Sequence, residues 1–259
     1  FSPMPMIDSH SDIPTTLILG GTTEASRLAQ AMAEAGWPAL LSYAGRVATP
    51  RAQPVPVRVG GFGGAEGLAA FLRDNGIGQV IDATHPFAAQ ISRNAVRACT
   101  MADVPLCAFE RAAWTAGPQD DWTHVPDITS AAAALDGPGK RVFLAIGRQH
   151  LASFSHLAQH RFLVRLVDAP APEFPLPDAQ IVVARGPFRL EDDLDLMRAH
   201  GTELLVTKNA GGTGAEAKIL AARTLGIPVV MIDRPDLPDR PLCGTLAEVM
   251  DWLHARLGV

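Results

Sequence analysis

From Thr15 onward, short apolar runs alternate with amphipathic helical stretches. Thr16–Leu19 reads as a strand, and a helix follows over about Thr23–Ala35, with Ala25, Leu28, Ala29, Met32 and Ala35 as its apolar stripe. That i, i+3, i+4 spacing turns one face of the helix toward a core. Gly36 suits the left-handed position that ends a helix. Strands are next expected at Ala39–Ser42 and Val55–Val59, followed by the glycine-rich segment 60–64 and a helix to about Asn75. Strands Gln79–Ala83 and Val104–Phe109 flank a helix over Pro86–Met101, with Pro86 opening it at the first helical position. Such βα alternation predicts a mainly parallel sheet with helices on its faces.

Residues Trp114–Gly139 break this rhythm with acids, prolines, glycines and one short helix near Thr129–Leu135, so a domain boundary is expected there. A second series of strands follows: Val142–Ile146, Phe162–Val167, Gln180–Ala184, Leu204–Thr207 and Pro228–Ile232. Pro170, Pro172, Pro175 and Pro177 make Asp168–Asp178 a stiff, extended loop. The expected fold class is α/β, with one domain over 15–138 and a second over 139–259. The two halves share a βα style without a visible sequence repeat.

Composition narrows the function classes. The chain has 259 residues, 47% hydrophobic, with a net charge of -5. It is long enough to bury a real core. The acidic balance argues against a general nucleic-acid or membrane-surface binder. Cys99, Cys107 and Cys243 lack C-x-x-C spacing and read as core residues of a reducing compartment. No apolar run reaches membrane-spanning length. Residues 1–14 lack a signal-peptide pattern and read as a flexible leader or cloning remnant, so a cytoplasmic location is the simplest expectation.

The candidate chemistry sits at strand ends. Gly20-Gly21-Thr22-Thr23-Glu24-Ala25 occupies the place of a dinucleotide fingerprint, with Thr22 where the second glycine would stand. The alternative is an ordinary βα turn. The next strand ends in Ser42-Tyr43-Ala44-Gly45-Arg46 and carries no acid. A hydroxyl and a guanidinium there suit a 2′-phosphate, which favours NADP(H); otherwise Arg46 is a solvated loop cation. Asp82-Ala83-Thr84-His85-Pro86 ends another strand, with His85 either a packed histidine or a ligand contact. Arg148, Arg185, Lys208 and Arg234 follow strands of the second series. Ligands of open parallel sheets bind beyond those carboxyl ends, so the four would gather along one cationic edge and imply an anionic ligand. The bland reading is that each caps a helix or pairs locally. Metal-site, hydrolase-elbow and Walker A spacings do not occur.

The segments LGGTTEASRLA, SYAGR, GGFGGAEGL, DATHPFAAQISRNA, GRQHLASF, RFLVRLVD, ARGPF and TKNAGGTGAEAKILAARTLGIPVVMIDRP together resemble the precorrin-6A reductase family of cobalamin biosynthesis. The likeness runs in order from about Thr15 to near Leu257; Ala210 stands where serine is expected. It implies two Rossmann-like domains with a cleft between them, the first binding NADP and the second contributing to the macrocycle site. It implies NADPH-dependent reduction of one double bond of precorrin-6A to give precorrin-6B. Gly20, Gly21, Thr22, Ser42 and Arg46 would hold the cofactor. His85, Arg148, Lys208 and Asn209 would line the reaction site, with Arg185 as a further substrate contact. The turn beginning Gly211-Gly212 would bind a carboxylate arm or a cofactor phosphate. His85, Lys208 and solvent are the candidate proton donors. The partner is an anionic tetrapyrrole, with transient contact to neighbouring pathway enzymes and no metal, nucleic acid or membrane. Alternatives are the cobalt-precorrin-6A reductase, a non-catalytic NADP or tetrapyrrole binder, and a reductase or epimerase of small anions.

Overall fold

The computed structural model describes residues 12–45 and 51–259. The chain divides into two compact units, Phe1–Arg111 with Asp236–Val259, and Ala112–Pro235. The boundary therefore falls at Arg111 rather than at the expected 138, and the last segment returns to the first unit.

In the first unit, β1 (Thr15–Leu19), α1 (Thr23–Ala35), β2 (Ala39–Tyr43), β3 (Val57–Val59), α2 (Gly64–Asp74), β4 (Ile77–Asp82), α3 (Ala89–Ala102) and β5 (Leu106–Phe109) follow in order. With β12 (Leu242–Cys243) added, the sheet reads β12-β5-β4-β1-β2-β3 and its pairs are parallel. Alternate residues serve opposite faces, as the two-residue strand period demands. Ile18, Leu41 and Ile81 pack with Leu28 and Met32 of α1 and Val249 and Leu253 of α7 (Leu246–Leu257). Leu17, Leu19 and Val80 pack with Leu68 and Leu72 of α2 and Ala95 and Ala98 of α3.

The helix expected from Thr23 to Ala35 has those bounds, with Gly36 left-handed behind it, but Ala35 itself is exposed. The helix expected from Pro86 begins only at Ala89. The reason is local: the His85 carbonyl accepts the Ala88 N–H, and its Nδ1 accepts the Phe87 N–H, closing a turn ahead of the helix.

The second unit holds β6 (Trp122–Val125), α4 (Ile128–Ala133), β7 (Arg141–Ala145), a 3-10 helix (Arg148–Phe154), β8 (Arg161–Leu166), β9 (Gln180–Val183), α5 (Leu190–His200), β10 (Leu204–Lys208), α6 (Ala217–Leu225) and β11 (Val229–Ile232). Its sheet, β6-β11-β10-β7-β8-β9, is also parallel. Phe143, Leu163, Leu205 and Met231 pack against Met197 of α5 and Ile219 of α6.

The two sheets have one plan. Each grows from its first strand through the second and third to one side, and through the fourth and fifth to the other. The sixth place is filled crosswise: β6 follows β5 in the chain but pairs with β11, whereas β12 (Leu242–Cys243) follows β11 but pairs with β5. The halves thus repeat in topology without repeating in sequence. Among the described residues no helix is long and apolar enough to cross a membrane. No group of three or more metal-ligating side chains gathers among them.

Candidate functional site

In a sheet of this order the chain leaves β1 toward opposite sides, and the crevice beyond the carboxyl ends of β1 and β4 is where ligands bind. A cleft of about 220 Å³ opens there in the first unit, lined by Gly20, Ser42, Gly61, Phe62, Gly63 and Thr84, with Leu19, Leu68 and Ile91 as its apolar floor. Gly20 keeps the β1 end bare: a Cβ on it would stand 2.7 Å from Leu41 Cδ1. Gly21 has φ 117°, a conformation side chains resist.

Thr22 explains the missing second glycine of the fingerprint. Its hydroxyl donates to the Ala83 carbonyl at 2.6 Å and accepts the Ala25 N–H at 3.2 Å. One side chain thereby caps α1 and ties the tip of β4 to the tip of β1. Ser42 is buried, and its Oγ accepts Arg58 Nη1 at 3.1 Å. Arg46 lies outside the described residues.

Beside the cleft, Asp82 anchors a buried polar network. Its carboxylate accepts the Thr84 N–H and hydroxyl, the Ser92 hydroxyl at 2.6 Å and Arg240 Nη1 at 2.8 Å. Arg240, in the returning segment, also donates to Glu110 at 2.6 Å. Full pairing is what permits these charges to be buried. His85 is half-buried at the same end of the sheet. Since its Nδ1 accepts the Phe87 N–H, the neutral ring carries its proton on Nε2.

The second unit has the equivalent crossover between β7 and β10. Gly147, Arg148 and His150 follow β7, and Lys208 and Asn209 end β10. Burial pushes the Lys208 ammonium below its ordinary pKa. Burial and the charge of Lys208 push the His150 imidazole down as well. His150 went unnoticed in the sequence because it lies five residues past the strand, within the 3-10 turn.

Arg148 donates to the Asp168 and Ala169 carbonyls at 3.2 and 2.8 Å. Arg185 pairs with the Asp168 carboxylate at 3.1 Å, both side chains being 73% exposed. A pair so exposed is worth little. Asn209, expected as a substrate contact, is buried, with both ends of its amide on the Trp114 backbone. Gly211 and Gly212 have φ 69° and 73°; a Cβ on Gly211 would collide with the Ala112 carbonyl. Arg234 donates to the Asn209 and Ala210 carbonyls at 3.0 Å each, clamping the same turn.

Comparison with known proteins adds a family to this geometry. Residues 15–254 match the family model of precorrin-6x reductase CbiJ/CobK. The precorrin-6A reductase of Rhodobacter capsulatus is 59% identical over 237 residues, 92% of this chain and 94% of that one. That of a Sinorhizobium species is 46% identical over 250 residues, 95% and 96% of the two chains. A solved structure of CobK precorrin-6A reductase superposes with a TM-score of 0.89 at 57% identity, covering 94% of this chain and 97% of that one.

Proposed function

The chain belongs to the precorrin-6x reductase family, and from that premise we infer that it reduces a carbon–carbon double bond of the precorrin-6A macrocycle in cobalamin biosynthesis, using NADPH. The observation that carries the choice of cofactor is the cleft at the β1–β4 crossover. It has glycines at Gly20, Gly61, Gly63 and Gly64, a hydroxyl at Ser42, and no carboxylate among its described lining residues. A cleft for NAD(H) places an acid at the end of β2; this one ends in Ser42, Tyr43, Ala44 and Gly45.

Gly20, Gly21, Thr22 and Ser42 would hold the cofactor, with Arg46 in the adjoining segment. Bound there, NADPH supplies the hydride. Gly20 and Gly21 would let the backbone approach the pyrophosphate. The hydroxyl proton of Thr22 is engaged on Ala83, so Thr22 contributes through its backbone.

The substrate is a ring with carboxylate arms, which Arg148 and Arg185 would receive at the strand ends of the second unit, beside the Gly211-Gly212 turn. Carbon reduction needs a proton as well as a hydride. Lys208 carries one on Nζ and His85 one on Nε2. Burial lowers the Lys208 pKa, which makes it a readier proton donor than an ordinary lysine.

The test is anaerobic mixing of the enzyme with precorrin-6A and NADPH. Loss of NADPH absorbance together with formation of precorrin-6B is expected. Tight binding of both ligands without oxidation would leave a binding protein and end the reductase reading. The same assay with cobalt-loaded substrate separates the two branches of the pathway.

A further inference from the structure

Arg58 stands behind the lining of this cleft, on β3 and not in the loop after β2. It is in register with Ser42 across the parallel pair β2–β3, so both side chains leave the same face of the sheet. Its Nη1 donates to Ser42 Oγ at 3.1 Å and to the Gly60 carbonyl at 2.8 Å; Nη2 donates to the Gly61 carbonyl at 3.2 Å. The guanidinium lies 3.8 Å above the Phe62 ring centroid and 5.0 Å from that of Phe71. Ser42, Gly61 and Phe62 all line the cleft.

Every partner in this set is neutral. Among the described residues, none of the ion pairs that hold other arginines reaches Arg58. The contrast with Arg240 is direct, since that buried arginine has both Asp82 and Glu110. A half-buried guanidinium stacked on aromatic rings, with hydroxyl and carbonyl partners only among the described residues, keeps a positive field beside the cleft. A loop clamp alone would be served as well by a neutral donor.

We propose that Arg58 is the residue that reads the 2′-phosphate, giving the cleft its preference for NADPH over NADH. This rests on the cofactor reading above. A phosphomonoester carries up to two negative charges and three acceptor oxygens. At the end of β2 it meets the Ser42 hydroxyl and, one strand further on, a fixed guanidinium plane. NADH brings only a hydroxyl to that place and forgoes the charge.

The test is direct binding, read by the fluorescence of NADPH and of NADH titrated into the protein without macrocycle. Adenosine 2′-monophosphate and adenosine 5′-monophosphate serve as competing probes. Wild-type protein is expected to favour NADPH. Arg58→Gln should weaken NADPH and adenosine 2′-monophosphate at least tenfold and leave NADH and adenosine 5′-monophosphate within twofold. Equal weakening of both dinucleotides, or of neither, overturns the assignment while leaving the cofactor reading in place. Wild-type protein that binds neither dinucleotide ends both. Arg58→Lys keeps the charge and loses the planar fork, so the NADPH preference should fall at least threefold. Should the glutamine variant fail to fold, an unchanged preference in the lysine variant overturns the assignment.

Discussion

The side chain of Asn209 closes a ring with the backbone of Trp114: Oδ1 accepts the Trp114 N–H at 2.7 Å and Nδ2 donates to its carbonyl at 3.0 Å. The indole of Trp114 then donates to the Gly212 carbonyl at 2.8 Å. The strand-end amide thus fixes the first residues of its own unit. Asn209→Ala leaves two backbone groups without partners, and about 2 kcal/mol of stability should go. Denaturant unfolding followed by tryptophan fluorescence measures it. An unchanged midpoint, with weakened macrocycle binding, would return Asn209 to the substrate site.

Arg240 and Asp82 form a nearly dry ion pair, 7% and 1% exposed. Breaking such a pair strands a buried charge, so Arg240→Met should cost about 3–5 kcal/mol. Differential melting of the variant and wild type checks this. A loss of about 1 kcal/mol or less, typical of an exposed pair, would show that solvent reaches Asp82 once the arginine is gone.

Lys208 and His150 should respond to each other. Because the Lys208 charge helps hold the His150 pKa down, Lys208→Met should raise it, which an NMR titration of the imidazole resolves. A fall or no change would place the two groups apart. In single-turnover assays Lys208→Ala should slow reduction tenfold or more, about 1.4 kcal/mol. Unchanged kinetics would remove Lys208 from the chemistry.

Acid stability carries a sign that follows from two histidines. Burial keeps His150 and His200 below the ordinary histidine value. As pH falls below about 6.5 the unfolded chain takes up protons that the fold refuses, so stability present above that value is lost toward the lowered folded pKa values. His200→Gln should flatten this slope in unfolding measured from neutral to acid pH. An unaltered slope would assign the acid loss to other groups.

Two glycines should separate binding from folding. At Gly20 the first obstacle to a Cβ is the flexible tip of Leu41, so Gly20→Ala should fold and lose affinity for NADPH. At Gly211 the obstacle is the Ala112 carbonyl, and φ is 69°. Gly211→Ala should therefore lose about 1 kcal/mol for its conformation alone, with the collision added. Comparing melting and dinucleotide binding for the two variants tests the distinction; equal melting would refute it.

Local pattern made the elements legible, because an apolar stripe and a helix-ending glycine are local facts. Thr23–Ala35 and Gly36 needed nothing more. Edge strands were harder. Trp122–Val125 is mostly exposed and Leu242–Cys243 has two residues, so neither shows an apolar run, and no local signal tells which sheet an edge strand will join. The candidate site is read in the sequence as a set of strand ends, not as a set of partnerships. Arg58 sits in an ordinary Val-Arg-Val strand, and only the register with Ser42 gives it meaning. A sequence does not show which hydrogen bonds Asn209 and Thr22 have already made.

The crosswise sixth strands also set an order of assembly on the ribosome. The second unit is one continuous stretch, Ala112–Pro235, and is complete as soon as Pro235 has emerged. The first unit, although synthesised first, must wait for β12 and α7. Until then Ile18, Leu41, Ile81 and Cys107 lack the cover of Val249 and Leu253. The nascent chain thus carries a half-clad first sheet alongside a second unit that is already complete, and β12 and α7 are the elements that close it.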